Sequence, residues 1–143
     1  MEDILLKETI YVSKNRNEIL GSQVVALLRS SNWAAGREEE KIVKSIENST
    51  CYGVFCNSKL IGFARIITDS VTTFYLMDVI IKKEYRGCGF GRLLMDEIMK
   101  DVGHLYGILH TDTAQKFYEP YGFVVTATSE SGESIMEKVR KEV

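Results

Sequence analysis

The most chemically informative stretch of the sequence is a glycine-rich loop, RGCGFGR, that joins strand-forming residues to helix-forming residues. The first amides of a helix have no intrahelical partners and carry partial positive charge, so they can bind phosphate. Gly87, Gly89 and Gly91 would allow positive φ angles and the close approach of an anion, and Arg86 and Arg92 add positive charge at either end. The loop therefore predicts a phosphate-binding site.

Three phosphate-binding motifs compete for this loop, and their spacing separates them. The Walker A motif requires a Gly-Lys pair followed by Ser or Thr, and the sequence contains no Gly-Lys pair. The dinucleotide fingerprint requires a glycine where Arg92 stands, and it belongs to a parallel βαβ unit. The pattern that remains is Arg-Gly-x-Gly-x-Gly. A glycine-rich turn without a ligand is the structural alternative.

The loop lies within a regular alternation of predicted strands and helices. Before it we expect a strand over Leu5–Val12, two helices and a three-stranded antiparallel meander with the sequences CYGVFC, LIGFARIIT and VTTFYLMDVIIK. After it we expect a helix over residues 89–102, a strand LYGILH, a short helix TAQKFYE and a strand GFVVTAT. The tail over residues 134–143 has the composition of either a strand or a helix, and a strand fits its alternation better.

Two local signals predict where helices begin and end. Asn15 or Asn17 would cap the first helix, which carries Ile19 and Leu20 at the start of its apolar face. Pro120 should push the preceding Glu119 out of helical geometry and so end the short helix.

Length and charge limit the possible functions. The 143 residues suit one domain spanning residues 1–143, with 45% hydrophobic and 27% charged side chains. A formal charge of −2 is too balanced for the broad positive field that attracts nucleic acid. The N-terminal sequence, MEDILLKETIYV, resembles neither a signal peptide nor a transit peptide, and nothing indicates a membrane partner, so we predict a cytoplasmic protein.

The cysteines and histidines do not form a recognisable metal or disulfide pattern. Cys51, Cys56 and Cys88 include no Cys-x-x-Cys pair, and neither histidine has a Cys or second His at ligand spacing. Cys51 and Cys56 would point to opposite faces of one strand, as buried core thiols. We therefore predict that no metal is bound.

The loop and a second motif downstream together resemble a known family. The RGCGFG sequence follows a long apolar strand, and FYEPYGF, which contains Tyr118, follows at the distance found in the GNAT superfamily of acetyl-CoA-dependent N-acetyltransferases. The resemblance implies an α/β (α+β) fold, with a mixed, mostly antiparallel sheet of six to seven strands and about four flanking helices. It also implies acetyl-CoA as the co-substrate.

The resemblance assigns cofactor-binding roles to two segments. The loop matches the one that wraps the CoA pyrophosphate with backbone amides: Arg86, Gly87, Cys88, Gly89, Phe90, Gly91 and Arg92. Val79 and Ile81 match the strand positions whose backbone pairs with the pantetheine arm. The next strand, LYGILH, is expected to diverge from that strand, so that the thioester enters the gap.

Tyr118 matches the tyrosine that protonates the departing thiolate in many members of the family. A phenol has a pKa of about 10 and a thiol of about 8.5, so the tyrosine can donate its proton to the sulfur at neutral pH. The amine acceptor must lose a proton, and Asp78, a carboxylate among apolar neighbours, is the first candidate for general base. A purely structural role for Asp78, a base at His110 or Asp112, and bound water are the alternatives.

Three positions depart from the family pattern. Thr111 replaces an Asn that helps to hold the cofactor in many relatives, and Pro120 replaces a common Lys. Cys88 stands where a polar residue is usual, and its thiol is either inert or activated by the helix dipole.

The acceptor side is expected in the segment SSNWAAGREEE between the first two helices. Trp33 would line an apolar pocket there, or only pack, and the adjacent glutamates could attract a cation. We therefore predict acetyl transfer to a primary amine of a small molecule or peptide, by direct attack in a ternary complex. An acyl-CoA-binding sensor or partner module without turnover is the alternative, and a homodimer is possible through the last strand.

Overall fold

A computed structural model describes residues 9–140, which form one seven-stranded sheet with helices on both faces. The strands are β1 (Ile10–Ser13), β2 (Thr50–Cys56), β3 (Lys59–Thr68), β4 (Thr73–Ile81), β5 (Tyr106–Thr111), β6 (Val124–Thr128) and β7 (Ser134–Lys138). The helices are α1 (Gly21–Arg29), α2 (Glu39–Glu47), α3 (Phe90–Val102) and α4 (Gln115–Tyr118), with short 3-10 turns at Lys83–Tyr85 and Glu119–Tyr121.

The sheet runs in the order β1-β2-β3-β4-β5-β7-β6, and only the β4–β5 pair is parallel. The parallel pair arises because α3 crosses between these two strands, whereas tight turns connect the strands of the meander. The prediction of a mixed, mostly antiparallel sheet flanked by about four helices is confirmed.

Alternation along β2 divides the interior into two cores. Tyr52, Val54 and Cys56 belong to the core beneath α3, and Cys51 and Phe55 to the core beneath α1 and α2. Both cysteines are buried, on opposite faces of the sheet as predicted. The α3 core contains the 3.6-periodic stripe of that helix, which includes Leu94, Ile98 and Val102.

The start of α1 differs from the prediction. The helix begins at Gly21 with Leu20 at its N-cap, and no side chain caps it. Asn15 instead organises a turn upstream. Its carbonyl accepts the Glu18 and Ile19 amides, and its side-chain oxygen accepts the Asn17 amide.

Pro120 was predicted to push Glu119 out of helical geometry, and this prediction is wrong. Glu119 keeps right-handed helical angles (φ −54°, ψ −44°), and the chain tightens into the 3-10 turn Glu119–Tyr121 with proline near its start, where no amide is needed.

The C-terminal segment confirms the strand interpretation, since β7 pairs antiparallel with both β5 and β6. The predicted first strand is seen as β1 at Ile10–Ser13. The rest of that prediction, residues 5–8, and residues 141–143 of the tail lie outside the described part of the chain.

Gly107 on β5 is a site of close packing that we expect to be intolerant of any side chain. It is buried opposite Phe74 of β4, and a Cβ at this position would overlap the Phe74 ring, which is fully buried. We expect Gly107→Ala to lower the free energy of unfolding by about 1–3 kcal/mol, as overpacked cores do. Chemical denaturation measures this change.

The matched control is Gly36→Ala, where a Cβ would meet nothing within 4 Å. Equal stability of the two variants would contradict the close packing of Gly107 against Phe74.

Candidate active site

A cavity of about 780 Å³ lies between the end of β4, the glycine loop, the start of α3 and the α4 region. This volume is within the usual range for small-molecule and cofactor sites. Most predicted cofactor residues line it, together with the predicted catalytic tyrosine: Val79, Ile81, Arg86, Gly87, Gly89, Phe90, Gly91, Arg92 and Tyr118. The structure therefore brings the glycine loop and Tyr118 to one site.

The cavity exists because β4 and β5 pair only briefly. Their ladder consists of three residue pairs, the last of which joins Tyr75 to Ile108, although β4 continues to Ile81. Beyond Tyr75 the two strands diverge, as the sequence analysis expected. Backbone groups of β4 that face the gap can therefore bind the amides of an extended ligand, as an added strand would.

A bulge at Asp78 bends β4 at the entrance to this gap. The register with β3 shifts, because Arg65 pairs with Met77 whereas Phe63 pairs with Ile80. Asp78 adopts a positive φ of 55°, a region that aspartate tolerates better than most side chains. Bulges increase strand bending and re-aim side chains, and no signal in the sequence located this one.

Two of the loop glycines have backbone angles that favour glycine. Gly87 and Gly89 have φ angles of 77° and 87°, and a Cβ on either would meet no atom within 4 Å. The loop is therefore open on the side where side chains are missing, and Gly89 is the N-cap of α3. This arrangement fits a pyrophosphate held by backbone amides.

Gly91 has a different role from the one predicted. It lies within α3, and a Cβ there would come to 3.0 Å from the Phe117 ring. Gly91 therefore permits α3 to pack against the α4 region, and the expectation of a positive φ at this glycine was wrong.

The charged groups around the cavity are mostly basic. Arg86 and Arg92 line it, and Arg86 is oriented by a 2.9 Å hydrogen bond from its Nε to the Ile81 carbonyl. Lys116 also lines the cavity and was not singled out from the sequence, whereas Asp96 is an acidic neighbour. An anionic ligand fits this distribution of charge.

Cys88 belongs to the loop but does not line the cavity. Its side chain is exposed, and its Sγ lies 3.7 Å from the Arg86 carbonyl oxygen. Any contact of Cys88 with a ligand in the cavity would therefore use the backbone rather than the thiol.

Tyr118 lies at the end of α4, almost fully buried, with its side chain on the cavity wall. Its ring makes edge contacts with Phe117 and Phe123, at centroid distances of 4.9 Å and 6.1 Å. Burial raises the pKa of the phenol, so the hydroxyl remains a proton donor throughout the neutral range.

Asp78 directly precedes the cavity-lining Val79 in the chain and lies at the centre of a polar cluster. Arg37 donates to both of its oxygens, at 2.8 Å and 3.2 Å, and the Arg65 Nε donates at 2.7 Å. The Trp33 indole donates a fourth hydrogen bond at 3.1 Å. Asp78 and Trp33 were predicted from the sequence, whereas the two arginines that hold the carboxylate were not.

These contacts are unfavourable for a general base. Burial raises the pKa of Asp78, but hydrogen bonds and charge from Arg37 and Arg65 outweigh it and hold the pKa below its usual range. The carboxylate is therefore a weak proton acceptor. Its occupied oxygens leave little access for an amine.

The other candidate residues lie outside the lining of the cavity. His110 is exposed on β5 with its ring 5.7 Å from that of Tyr75, and Asp112 is exposed beyond the strand end. Thr111 is buried and accepts the Ala114 amide at 3.0 Å, so it orders the turn into α4.

The sequence matches the acetyltransferase (GNAT) domain family over residues 47–125, which include the glycine loop and Tyr118. The chain belongs to the GNAT acetyltransferase family. It is an N-acetyltransferase, and its glycine loop, splayed strands and tyrosine occupy one continuous site.

Curated relatives of this acetyltransferase include the uncharacterised N-acetyltransferase ycf52 of Pyropia yezoensis, 27% identical over 80% of the chain and 70% of that relative. A ycf52-like N-acetyltransferase of Prochlorococcus marinus is 32% identical over 69% of the chain. The match spans 59% of the Prochlorococcus protein, so that relative extends well beyond the matched region.

Solved structures share the fold over most of the chain. A protein of Xanthomonas campestris assigned to the GNAT family is 30% identical with a TM-score of 0.77, covering 82% of this chain and 86% of that one. The PaiA N-acetyltransferase of Thermoplasma acidophilum, solved in complex with coenzyme A, is 25% identical with a TM-score of 0.68. That match covers 92% of this acetyltransferase and 99% of the other chain.

Two features of residues 9–140 bear on the remaining predictions. No helix in that range is long and apolar enough to cross a membrane, and no group of three or more His, Cys, Asp or Glu side chains is placed to hold a metal ion. The predictions of no bound metal and of a cytoplasmic location stay predictions.

The Asp78 cluster generates a stability prediction for this acetyltransferase. Asparagine tolerates the positive φ of position 78, so Asp78→Asn removes the charge with little backbone strain. We expect this variant to lose about 2–4 kcal/mol of its free energy of unfolding near neutral pH. The loss is below the full cost of breaking a buried ion pair because Arg37 is partly exposed.

The loss should depend on pH in one direction. The folded pKa of Asp78 lies below the unfolded value, so its stabilisation is present above about pH 4 and decreases as the pH falls toward the folded pKa. When the wild type and Asp78→Asn are unfolded by heat at pH values from 7 to 3, the difference between their melting temperatures should shrink as the pH falls. Asp112→Asn, at an exposed carboxylate, is the control, and a difference that grows in acid would contradict the ion-pair account.

Proposed function

We propose that the chain transfers the acetyl group of acetyl-CoA to a primary amine of a small molecule or peptide, by direct attack in a ternary complex. One observation carries the proposal: a single cavity connects the amides at the start of α3 with the buried hydroxyl-bearing side chain of Tyr118. The first can hold a diphosphate, and the second can protonate a thiolate.

The glycine loop would bind the pyrophosphate of the donor. Gly87 and Gly89 expose backbone amides where no Cβ is present, and the α3 N-terminus adds its partial positive charge. Arg86, Arg92 and Lys116 would complement the remaining phosphate charge.

The end of β4 would hold the pantetheine arm. Val79 and Ile81 line the cavity on the part of β4 that has left β5, so their backbone groups can bond the amides of the arm. Acetyl-CoA supplies a thioester whose carbonyl carbon accepts an amine. The strand orients this group between the two halves of the sheet.

Tyr118 would act as the general acid. As the amine nitrogen bonds to the acetyl carbon, the carbon–sulfur bond breaks and sulfur leaves with the electron pair. The phenol of Tyr118, kept protonated by burial, donates its proton to that sulfur.

Water would remove the proton of the amine. Asp78, the base first predicted, is held by two guanidinium groups and the Trp33 indole, so we assign it a positioning role on the acceptor side. An alkylamine with a pKa of about 10.4 is about one part in a few thousand neutral at pH 7, so activity should rise with pH in the neutral range.

Two proposals about partners remain independent of this mechanism. The sequence predicts no nucleic-acid partner and allows a homodimer, and both stay predictions. Exposed valines on the edge strand β6, Val124 and Val125, lie where a second copy could pair.

Gly89→Glu should abolish binding of the donor, because bulk and negative charge would both occupy the pyrophosphate site. We expect calorimetry with acetyl-CoA to show a Kd about 100-fold higher or more, with each 1.4 kcal/mol lost raising it tenfold. Gly132→Glu is a matched control, since Gly132 also has a positive φ (93°) and open space around it, but lies in the β6–β7 turn. Equal affinity of the two variants would refute the loop as the phosphate site.

Tyr118→Phe should lower kcat by about 100-fold or more while the KM for acetyl-CoA changes little, because only the proton donor is lost. Thiol release in the presence of an amine panel gives both constants. Tyr121→Phe, at another tyrosine of the cavity wall, should have a much smaller effect. Parallel losses in kcat and in acetyl-CoA binding for Tyr118→Phe would mean that the hydroxyl is structural. If the wild type binds acetyl-CoA but releases no thiol with any amine, the sensor module is favoured.

A further inference from the structure

The cluster of Arg37, Arg65, Asp78 and Trp33 has more hydrogen-bond donors than its carboxylate can use. Asp78 accepts four hydrogen bonds, two from Arg37, one from Arg65 and one from Trp33. A carboxylate has about four lone-pair sites, so Asp78 is saturated. Among the described residues no buried side-chain nitrogen lacks a partner, so the donors that remain on the two arginines are open to solvent or to a ligand.

The two guanidinium groups retain much of their donor capacity. Each carries five N–H bonds, of which Arg37 directs two to Asp78. Arg65 directs one to Asp78 and one, at 3.1 Å, to Ser49. With two cations and one anion, the cluster carries a net charge of about +1 at neutral pH. A second carboxylate would balance both the charge and the donors.

The loop between α1 and α2 is built so that it presents Arg37. Arg29 donates to the carbonyls of Ala35 and Arg37, and Ser31 is bonded to both the Leu28 carbonyl and the Ala34 amide. These contacts fix the loop without a ligand. The position of Arg37 is therefore preorganised.

The cluster combines accessibility with closeness to the donor cavity. The side chain of Arg65 is 11% exposed and that of Arg37 is 26% exposed, whereas Trp33 is 55% exposed beside them. Asp78 directly precedes Val79, which lines the cavity, so the cluster lies one residue along β4 from the donor site. An acceptor anchored here would reach the gap from the neighbouring residue of β4.

We propose that this cluster binds an anionic group of the acceptor, and that the acceptor is a small amine that also carries a carboxylate, of the amino-acid class. The proposal rests on the proposed function. Arg37 and Arg65 bind the carboxylate by charge-assisted hydrogen bonds, Asp78 holds both arginines in place, and Trp33 covers the hydrocarbon part. The amine nitrogen forms the bond to the acetyl carbon as described above, and the carboxylate is not consumed.

Pairs of amines that differ only in the carboxylate test the proposal. Thiol release is measured with L-phenylalanine against 2-phenylethylamine, and with L-lysine against 1,5-diaminopentane. Charged hydrogen bonds of this kind predict at least about a tenfold higher kcat/KM for the carboxylate-bearing member of a pair. Equal or better use of both decarboxylated amines would overturn the proposal and leave acetyl transfer intact.

Arg37→Gln should remove the preference, because it takes away the more exposed cation. Arg37→Lys keeps the charge without the bidentate fork, so it should restore part of the preference if charge is what binds. Arg140→Gln, at an exposed arginine beyond β7, is the matched control and should keep the preference. A full preference in a folded Arg37→Gln protein, with folding checked by its thermal transition, would also overturn the proposal.

Trp33 provides a readout that does not require turnover. It is the only tryptophan in the chain, so its fluorescence reports on the cluster alone. In the presence of CoA, L-phenylalanine or L-lysine should change this fluorescence in the wild type but not in Arg37→Gln. Binding without acetyl transfer would retain the acceptor site and refute the proposed function, whereas no change with either amino acid would refute the acceptor site.

Discussion

The site depends on one constraint, the early end of pairing between β4 and β5. Three residue pairs hold the two strands together, and the remaining six residues of β4, 76–81, continue without β5 as a partner. Backbone amides left without a strand partner are costly to bury, so a sheet maintains such a gap only where something else can bind them. The donor cavity opens along this unpaired edge, and the glycine loop and Tyr118 lie at its two sides.

The Asp78 bulge and its arginines link this gap to the acceptor side. The bulge bends β4 away from a straight path, and Arg37 from the loop between α1 and α2 and Arg65 from β3 both hold the bulged residue. The same contacts depress the pKa of Asp78, because they favour its ionised form over the effect of burial. One carboxylate therefore stabilises a strained backbone position and orders two cations at once.

Local patterns in the sequence predicted much of the fold. Alternate residues of β2 and β3 belong to the two different cores, and the stripe of α3 is its buried face, since these periods follow directly from strand and helix geometry. The backbone angles of Gly87 and Gly89 were predicted correctly because positive φ has a strong preference for one residue type. The start of α1 was predicted less well, since Asn15 has two ways to satisfy nearby amides.

What the sequence could not show were contacts between distant positions. Arg65 lies 13 residues from Asp78 along the chain and Arg37 lies 41, and neither has a local pattern that marks it as a partner. The same limit applies to Gly91, whose packing against Phe117 requires knowledge of how α3 and α4 meet. Isolated polar residues in apolar strands, such as Asp78, indicated that a partner must exist but not which one.

The short seam between β4 and β5 also has a mechanical consequence. Strands β1 to β4 form one half of the sheet and β5 to β7 form the other. The three residue pairs that end at Tyr75 and Ile108 are the ladder contacts between the two halves. The ladder gives the open end no direct support, so the core beneath α3, which contains Leu76 of β4 and Leu109 of β5, holds the two halves at their separation. Phe74 and Gly107 pack together within this seam, so a side chain at position 107 would disturb the place where the gap begins.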